Sequence, residues 1–127
     1  MKIRIFIVVT IAFSLLGINS AKAIEIDRTG NCSAGSLWQA DLELEFNVYD
    51  LGFEIDTKNA DENWAFTLRH NGKRVLSETR PSQKEFDDSY AEVEWDVVRP
   101  DRKGADTFVF RAINQVTGEV CRATLKS

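Results

Sequence analysis

Histidine, cysteine and long apolar runs are the scarce features of this 127-residue chain. His70 is its one histidine, and Cys32 and Cys121 are its two cysteines. These do not complete a structural zinc site unless carboxylates join them, so neither a metal nor a cofactor is expected. No Gly-x-Ser-x-Gly nucleophile elbow occurs. His70, beside Asn71-Gly72, reads as a solvent-exposed turn residue rather than a general base. The carboxylate-rich stretch from Asp56 to Asn63 lacks an Asp-x-Asp-x-Asp-Gly loop with a closing Glu, which excludes a calcium loop of that type. Glu43/Glu45 and Glu92/Glu94 are same-face pairs with no evident cleft between them, and read as solvated rather than as acid and base. No catalytic residue is assigned, and the chain reads as a non-enzyme. Repeats, heptads and low-complexity tracts are also absent.

The single apolar run, from Ile5 to Ile18, follows Lys2 and Arg4 and precedes Ala21-Lys22-Ala23, which supplies small residues at −3 and −1 of a cleavage site. The run falls short of the ~20 residues needed to span a bilayer, so residues 1–23 are expected to be a cleaved export signal. Residues 24–127 then form one domain, with no integral membrane span. Removing Lys2, Arg4 and Lys22 leaves 13 basic against 20 acidic residues, a net charge of −7. That excess argues against nucleic acid or anionic membrane as the main partner. Export to an oxidising compartment, the periplasm or the extracellular space, makes a Cys32–Cys121 disulfide the simplest reading of the two cysteines. In the chain-entropy model, closing a loop of roughly ninety residues stabilises a fold by roughly 4 to 5 kcal/mol.

What the chain does contain is period-two alternation. Phe108, Phe110 and Ala112 alternate with Val109, Arg111 and Ile113, and beyond Thr117-Gly118 the set Cys121, Ala123, Leu125 alternates with Val120, Arg122, Thr124. This predicts a terminal β-hairpin. A four-residue closure opposes Asn114 to Glu119 and Arg111 to Arg122, whereas a two-residue closure shifts the register by a pair. Trp64, Phe66 and Leu68 lead into Asn71-Gly72, a second hairpin whose return strand runs from Lys73 to Leu76. Pro81 excludes a central strand at its position. Ala91, Val93, Trp95 and Val97 form another inward set. Leu42, Leu44, Phe46 and Val48 alternate with Glu43, Glu45, Asn47 and Tyr49, which predicts one strand across the whole stretch. Ile24–Asp27 reads as a short edge strand and Thr29–Asp41 as a loop or irregular strand. Leu51–Asn63 reads as a polar connection with a short strand at Phe53–Ile55.

About seven short strands without a helix predict an all-β sandwich. In its Trp64 and its VEWDVVRPDRKGADTFVFRAIN segment, the sequence resembles the immunoglobulin-like superfamily in the broad form shared with fibronectin type III domains. Phe108-x-Phe110-x-Ala112-x-Asn114 followed by Gly118 matches that family's approach to the final hairpin. Phe108 lacks the hydroxyl of the family's tyrosine corner, and Leu44 or Phe46 together with Phe110 stand where antibody domains carry cysteines. More narrowly, Cys32, WAFTLRHNGK, SETRPSQKEF and VTGEVCRATL resemble the periplasmic curli-assembly inhibitors, small immunoglobulin-like proteins that keep amyloid subunits soluble. That resemblance implies a monomeric chaperone whose partner is another protein, an amyloid subunit.

Charge placement suggests where such a partner would bind. Glu43, Glu45, Glu92, Glu94 and Asp96 are expected on one outer face, with the strands from Leu42 and from Ala91 as neighbours. Arg69, Arg111 and Arg122, flanked by Val109 and Ile113, are expected on the other, as a surface for an acidic or amide-rich protein. The bland alternative is that Glu119, Asp106 or solvent neutralises these arginines. An extracellular adhesive module and a secreted hydrolase inhibitor with a rigid loop at 60–63 or 99–103 are the alternative functions.

Overall fold

The computed structural model describes residues 24–85 and 89–127, and the export signal read over 1–23 lies outside the described residues. Among the described residues the chain forms nine strands: β1 (Ile24–Asn31), β2 (Leu37–Glu45), β3 (Val48–Thr57), β4 (Asn63–His70), β5 (Lys73–Pro81), β6 (Gln83–Lys84), β7 (Ala91–Pro100), β8 (Thr107–Asn114) and β9 (Val120–Lys126). They assemble into two antiparallel sheets, ordered β1-β2-β3-β7-β6 and β5-β4-β8-β9. No helix among the described residues is long and apolar enough to cross a membrane.

The inward side chains of both sheets meet in an aromatic core. Phe53 of β3 stacks on Phe110 of β8 at 5.1 Å between centroids, and Trp95 meets Phe110 edge-on at 5.8 Å. Trp64, Phe66, Leu68 and Phe108 are fully buried around them. Each such aromatic removes 150–250 Å² from water, the largest favourable contribution available to so small a domain.

Two devices close the sides of the sandwich. Cys32, just past β1, is disulfide-bonded to Cys121 of β9, with Cα atoms 4.4 Å apart, so the edges of both sheets are tied together. On the opposite side the chain leaves β5 at Pro81 and enters β6 of the other sheet through Ser82. The Ser82 hydroxyl donates to the Asn59 carbonyl (2.7 Å), the Ser82 amide donates to the Glu62 carbonyl (2.9 Å), and the Ser82 carbonyl accepts from the Asp61 amide (2.8 Å). β5 is the outermost strand of its sheet, as Pro81 requires.

The terminal hairpin takes the four-residue closure. Ile113 opposes Val120 and Arg111 opposes Arg122, while Asn114 N–H donates to the Glu119 carbonyl (2.8 Å). The Asn114 side chain shapes the turn, its Oδ1 accepting from the amides of Val116 and Thr117 at 2.8 and 3.1 Å. Asn71 and Gly72 adopt φ 51° and 84°, the left-handed pair that a two-residue hairpin needs.

Several expectations are corrected. The run Leu42–Tyr49 is not one strand, because the chain reverses at Phe46-Asn47, with φ 50° and 63°. The two turn residues shift the phase, so Tyr49 is buried and Val48 faces outward, opposite to simple alternation. Leu51–Asn63 is not mainly a polar connection either: its first half is the end of β3, a ten-residue strand lying between β2 and β7. The strands from Leu42 and Ala91 are therefore not neighbours, and Phe53, rather than Leu44 or Phe46, faces Phe110. Finally, β1 runs to Asn31 and β5 to Pro81, both longer than expected, and of the stretch 29–41, read as a loop or irregular strand, the part from Leu37 with Trp38 belongs to the regular strand β2.

Candidate functional site

The sheet registers divide the charges between the two outer faces. On the four-stranded sheet the outward rows are Thr67, Arg111 and Arg122, then Arg69, Val109 and Thr124, then Ala65, Ile113 and Val120. Arg74 lies opposite Arg69, and Lys126 opposite Thr107. Arg69, Arg111 and Arg122 are exposed, Val109, Ile113 and Val120 are half-buried between them, and no outward position of this sheet holds a carboxylate. All five residues expected to form the partner surface thus share one face.

Arg111 and Arg122 stand directly opposite each other, an arrangement that costs stability unless an anion lies between them. Among the described residues neither guanidinium has a carboxylate within ion-pair distance. The two carboxylates expected to neutralise them are engaged elsewhere. Glu119 reaches across the sandwich to the loop after Cys32, where its Oε2 accepts from the Ala34 and Ser36 amides at 2.9 Å each and its Oε1 from the Ser36 hydroxyl at 2.6 Å. Asp106 is fully buried and turned inward.

Asp106 anchors a polar cluster at the other end of the core. His70 Nε2 donates to its Oδ1 at 2.6 Å and the Tyr49 hydroxyl to its Oδ2 at 2.9 Å, while Ser127 Oγ lies 2.7 Å from the same hydroxyl. His70 is therefore not the exposed turn residue expected. It is buried against Phe108, with ring centroids 4.2 Å apart, and its Nδ1 has no partner among the described residues. Burial pushes the Asp106 carboxyl up, but hydrogen bonds from His70, Asp101 and Tyr49 outweigh it and hold it below the ordinary aspartate range. Burial also lifts the Tyr49 phenol to about 12. The His70 and Asp106 side chains have no exposed surface, so in this conformation the pair braces a corner and cannot meet a substrate.

The five-stranded sheet presents the opposite charge. Its outward positions hold Glu25 and Asp27 on β1, Asp41, Glu43 and Glu45 on β2, Asp50, Glu54 and Asp56 on β3, and Glu92, Glu94 and Asp96 on β7. No lysine or arginine occupies an outward position of these four strands. The expected acidic face therefore exists, enlarged by the carboxylates of β3. Glu54, Asp56 and Glu92 place oxygens within 4.8 Å of one another. Burial, then the hydrogen bond and charge of Glu54 and the neighbouring Glu85, lift Glu92 to about 9, so at neutral pH the group shares a proton.

The concave sites are half-open clefts. A cleft of about 410 Å³ opens at the disulfide end between Ser36, Thr57, Asn59, Glu62, Asn114 and Glu119. Two of its carboxylates are committed to the fold, since Glu62 Oε1 accepts from Asn114 Nδ2 (3.1 Å) and Glu119 holds the Ser36 loop, while the third, Asp56, is exposed and belongs to the group with Glu54 and Glu92. Comparison with protein-family models, curated proteins and solved structures gave no match, so the reading of function rests on the geometry of the two faces.

Proposed function

We propose that this chain is an exported, non-enzymatic protein-binding domain of the immunoglobulin-like class, acting as a periplasmic chaperone of the curli-inhibitor type. The strand orders β2-β3-β7-β6 and β5-β4-β8-β9 correspond to the A-B-E-D and C′-C-F-G orders of that class, with β1 added outside. The observation that carries the functional reading is the opposed, unneutralised Arg111–Arg122 pair on a flat face with half-buried valine and isoleucine between its cations. Guanidinium groups so placed receive carboxylates or side-chain amides, and the apolar strip gives an extended client a second hold. A flat face without a deep pocket suits a client that has not folded. The disulfide fits an oxidising compartment outside the cytoplasm, and the reading takes that compartment to be the periplasm and the working form to be a monomer.

A thioflavin assay with purified curli subunit tests the reading. Substoichiometric protein should delay fibre growth, and the Arg111→Glu/Arg122→Glu variant should lose the delay while keeping its melting temperature. Unaltered fibre growth in the presence of the unmodified protein would remove the proposal.

A further inference from the structure

The two sheets differ by one strand, and the difference leaves a place unfilled. Phe53 of β3 faces Phe110 of β8, and Trp95 of β7 faces Phe66 of β4 at 5.5 Å between centroids. Continuing outward in the same order, β9 lies over β2, with which it is in contact. Next comes β1, with no strand of its own opposite among the described residues. The inward positions of β1 are Ile24, Ile26 and Arg28, which pair with Leu44, Leu42 and Ala40. Both isoleucines pack against the core and are only half-buried, so a further strand over them would remove more apolar area from water.

The edge that such a strand would extend is that of β9. The Asn114 amide bonds the Glu119 carbonyl, so the hydrogen-bonded pairs that follow are Ala112–Cys121, Phe110–Ala123 and Phe108–Leu125. Val120, Arg122, Thr124 and Lys126 therefore turn their amides and carbonyls away from β8. The chain itself uses the first of these positions. The Ser33 amide donates to the Val120 carbonyl and the Val120 amide to the Ser33 hydroxyl, both at 2.9 Å. Past that point the edge-facing groups of Arg122 and Thr124 have no backbone partner among the described residues. Such a row of unpaired groups is a template for strand addition.

The side chains along this edge select the occupant. Arg122, Thr124 and Lys126 are exposed at alternate positions on the arginine face. A second copy of β9 is a poor fit, because antiparallel pairing about Thr124 would oppose Arg122 to Lys126 twice, cation against cation. A strand with carboxylates opposite both cations fits, and it gives Arg122, already crowded by Arg111, a counter-charge on its other side. The residues between those carboxylates face inward, over Ile24 and Ile26, and are therefore apolar.

We propose that the client binds by adding one strand to the edge of β9 from Arg122 to Lys126, which completes the sandwich opposite β1. The segment selected alternates, with Asp or Glu facing Arg122 and Lys126 and with Val, Ile or Leu at the positions between. This deepens the reading of the arginine face as the client surface and rests on it: the cations hold the outer side chains of the segment, and the edge holds its backbone.

The test titrates the isotopically labelled, disulfide-bonded exported protein with a peptide of about seven residues that sets Glu, Thr and Glu at alternate positions with Val between them. The amides of Arg122 and Thr124 should shift and exchange more slowly with solvent in the complex, and the Ile24 and Ile26 methyl groups should shift with them. Thr124→Pro removes an edge-facing donor while leaving the hydrogen bonds to β8 intact, so it should weaken binding roughly tenfold or more. Thr124→Ala should bind as the unmodified protein does, and a peptide with Ser in place of Val should bind more weakly. The proposal is overturned if Arg122 and Thr124 gain no amide protection at saturating peptide, a result that decides the matter even where the proline variant does not fold. It is overturned equally if Thr124→Pro folds and binds normally. Shifts confined to Arg69, Val109 and Arg111 would keep the arginine face as the client surface and remove strand addition. No shift at millimolar peptide would also remove strand addition, and the fibre assay would then judge the face by itself.

Discussion

Asp106 Oδ1 accepts a 2.6 Å hydrogen bond from His70 Nε2, and neither side chain has exposed surface. The bond joins the end of β4 to the segment that opens β8, beside Phe108, and with Tyr49 it braces this corner of the core.

The depressed Asp106 carboxyl sets the acid limb of stability. A carboxyl whose folded value lies below its unfolded value, near 3.9 for aspartate, contributes stability above that unfolded value and loses it as pH falls through the folded one. Melting curves from pH 6 to pH 2 should therefore drop steeply for the unmodified protein. Asp106→Asn should start less stable at pH 6 and show a flatter acid limb; parallel curves would refute the assignment. Asp101 is pushed the opposite way, chiefly by its hydrogen bond to Asp106, so Asp101→Asn is the control that fixes its contribution.

Glu92 sets a limb of the other sign. Its carboxyl is lifted to about 9 by burial and by Glu54, so its contribution is full below the unfolded value, near 4.3, and is lost as pH rises toward 9. Glu92→Gln keeps a donor toward Glu54 without the charge. At pH 8 it should raise the melting temperature by about 4–8 °C, the shift expected for ~1 kcal/mol in a domain of this size. At pH 4 it should change little.

Trp38 packs over the backbone of Gly30 and beside Phe53, at 6.2 Å between ring centroids. A methyl group on residue 30 would overlap the indole, and the ring could not stay where it is. Gly30→Ala should destabilise the fold by about 1–3 kcal/mol and shift tryptophan fluorescence, as measured by urea denaturation.

Reduction of Cys32–Cys121 should remove a large share of net stability, roughly 4 to 5 kcal/mol in the chain-entropy model, because the bond joins positions 89 residues apart. Urea titration with and without reductant measures the loss directly.

The sequence displayed the two hairpins at Asn71-Gly72 and Thr117-Gly118 because glycine and asparagine mark left-handed turn positions, and the cysteine pair because only two were present. The β2–β3 hairpin was hidden by its chemistry. Phe46 carries no turn signal, and its apolar character continued the alternation of Leu42 and Leu44 through the reversal. Once the phase slips there, Tyr49, Leu51, Phe53 and Ile55 alternate cleanly against Asp50, Gly52, Glu54 and Asp56, so the missed strand was written in the chain one register away. The shared placement of Arg111, Arg122, Val109 and Ile113 on one face was legible because they sit on two adjacent strands. What Glu119 and Asp106 do was not, since Ser36 and Tyr49 are brought to them only by the closed sandwich.

Hydrogen–deuterium exchange of the protein with and without an acidic, amide-rich amyloid-subunit peptide tests the central claim most directly. The account predicts new protection on β4, β8 and β9 around Arg69, Val109, Arg111, Ile113 and Arg122, weakening as salt is raised. Protection confined to the five-stranded sheet, or none on the arginine strands at saturating peptide, would contradict it.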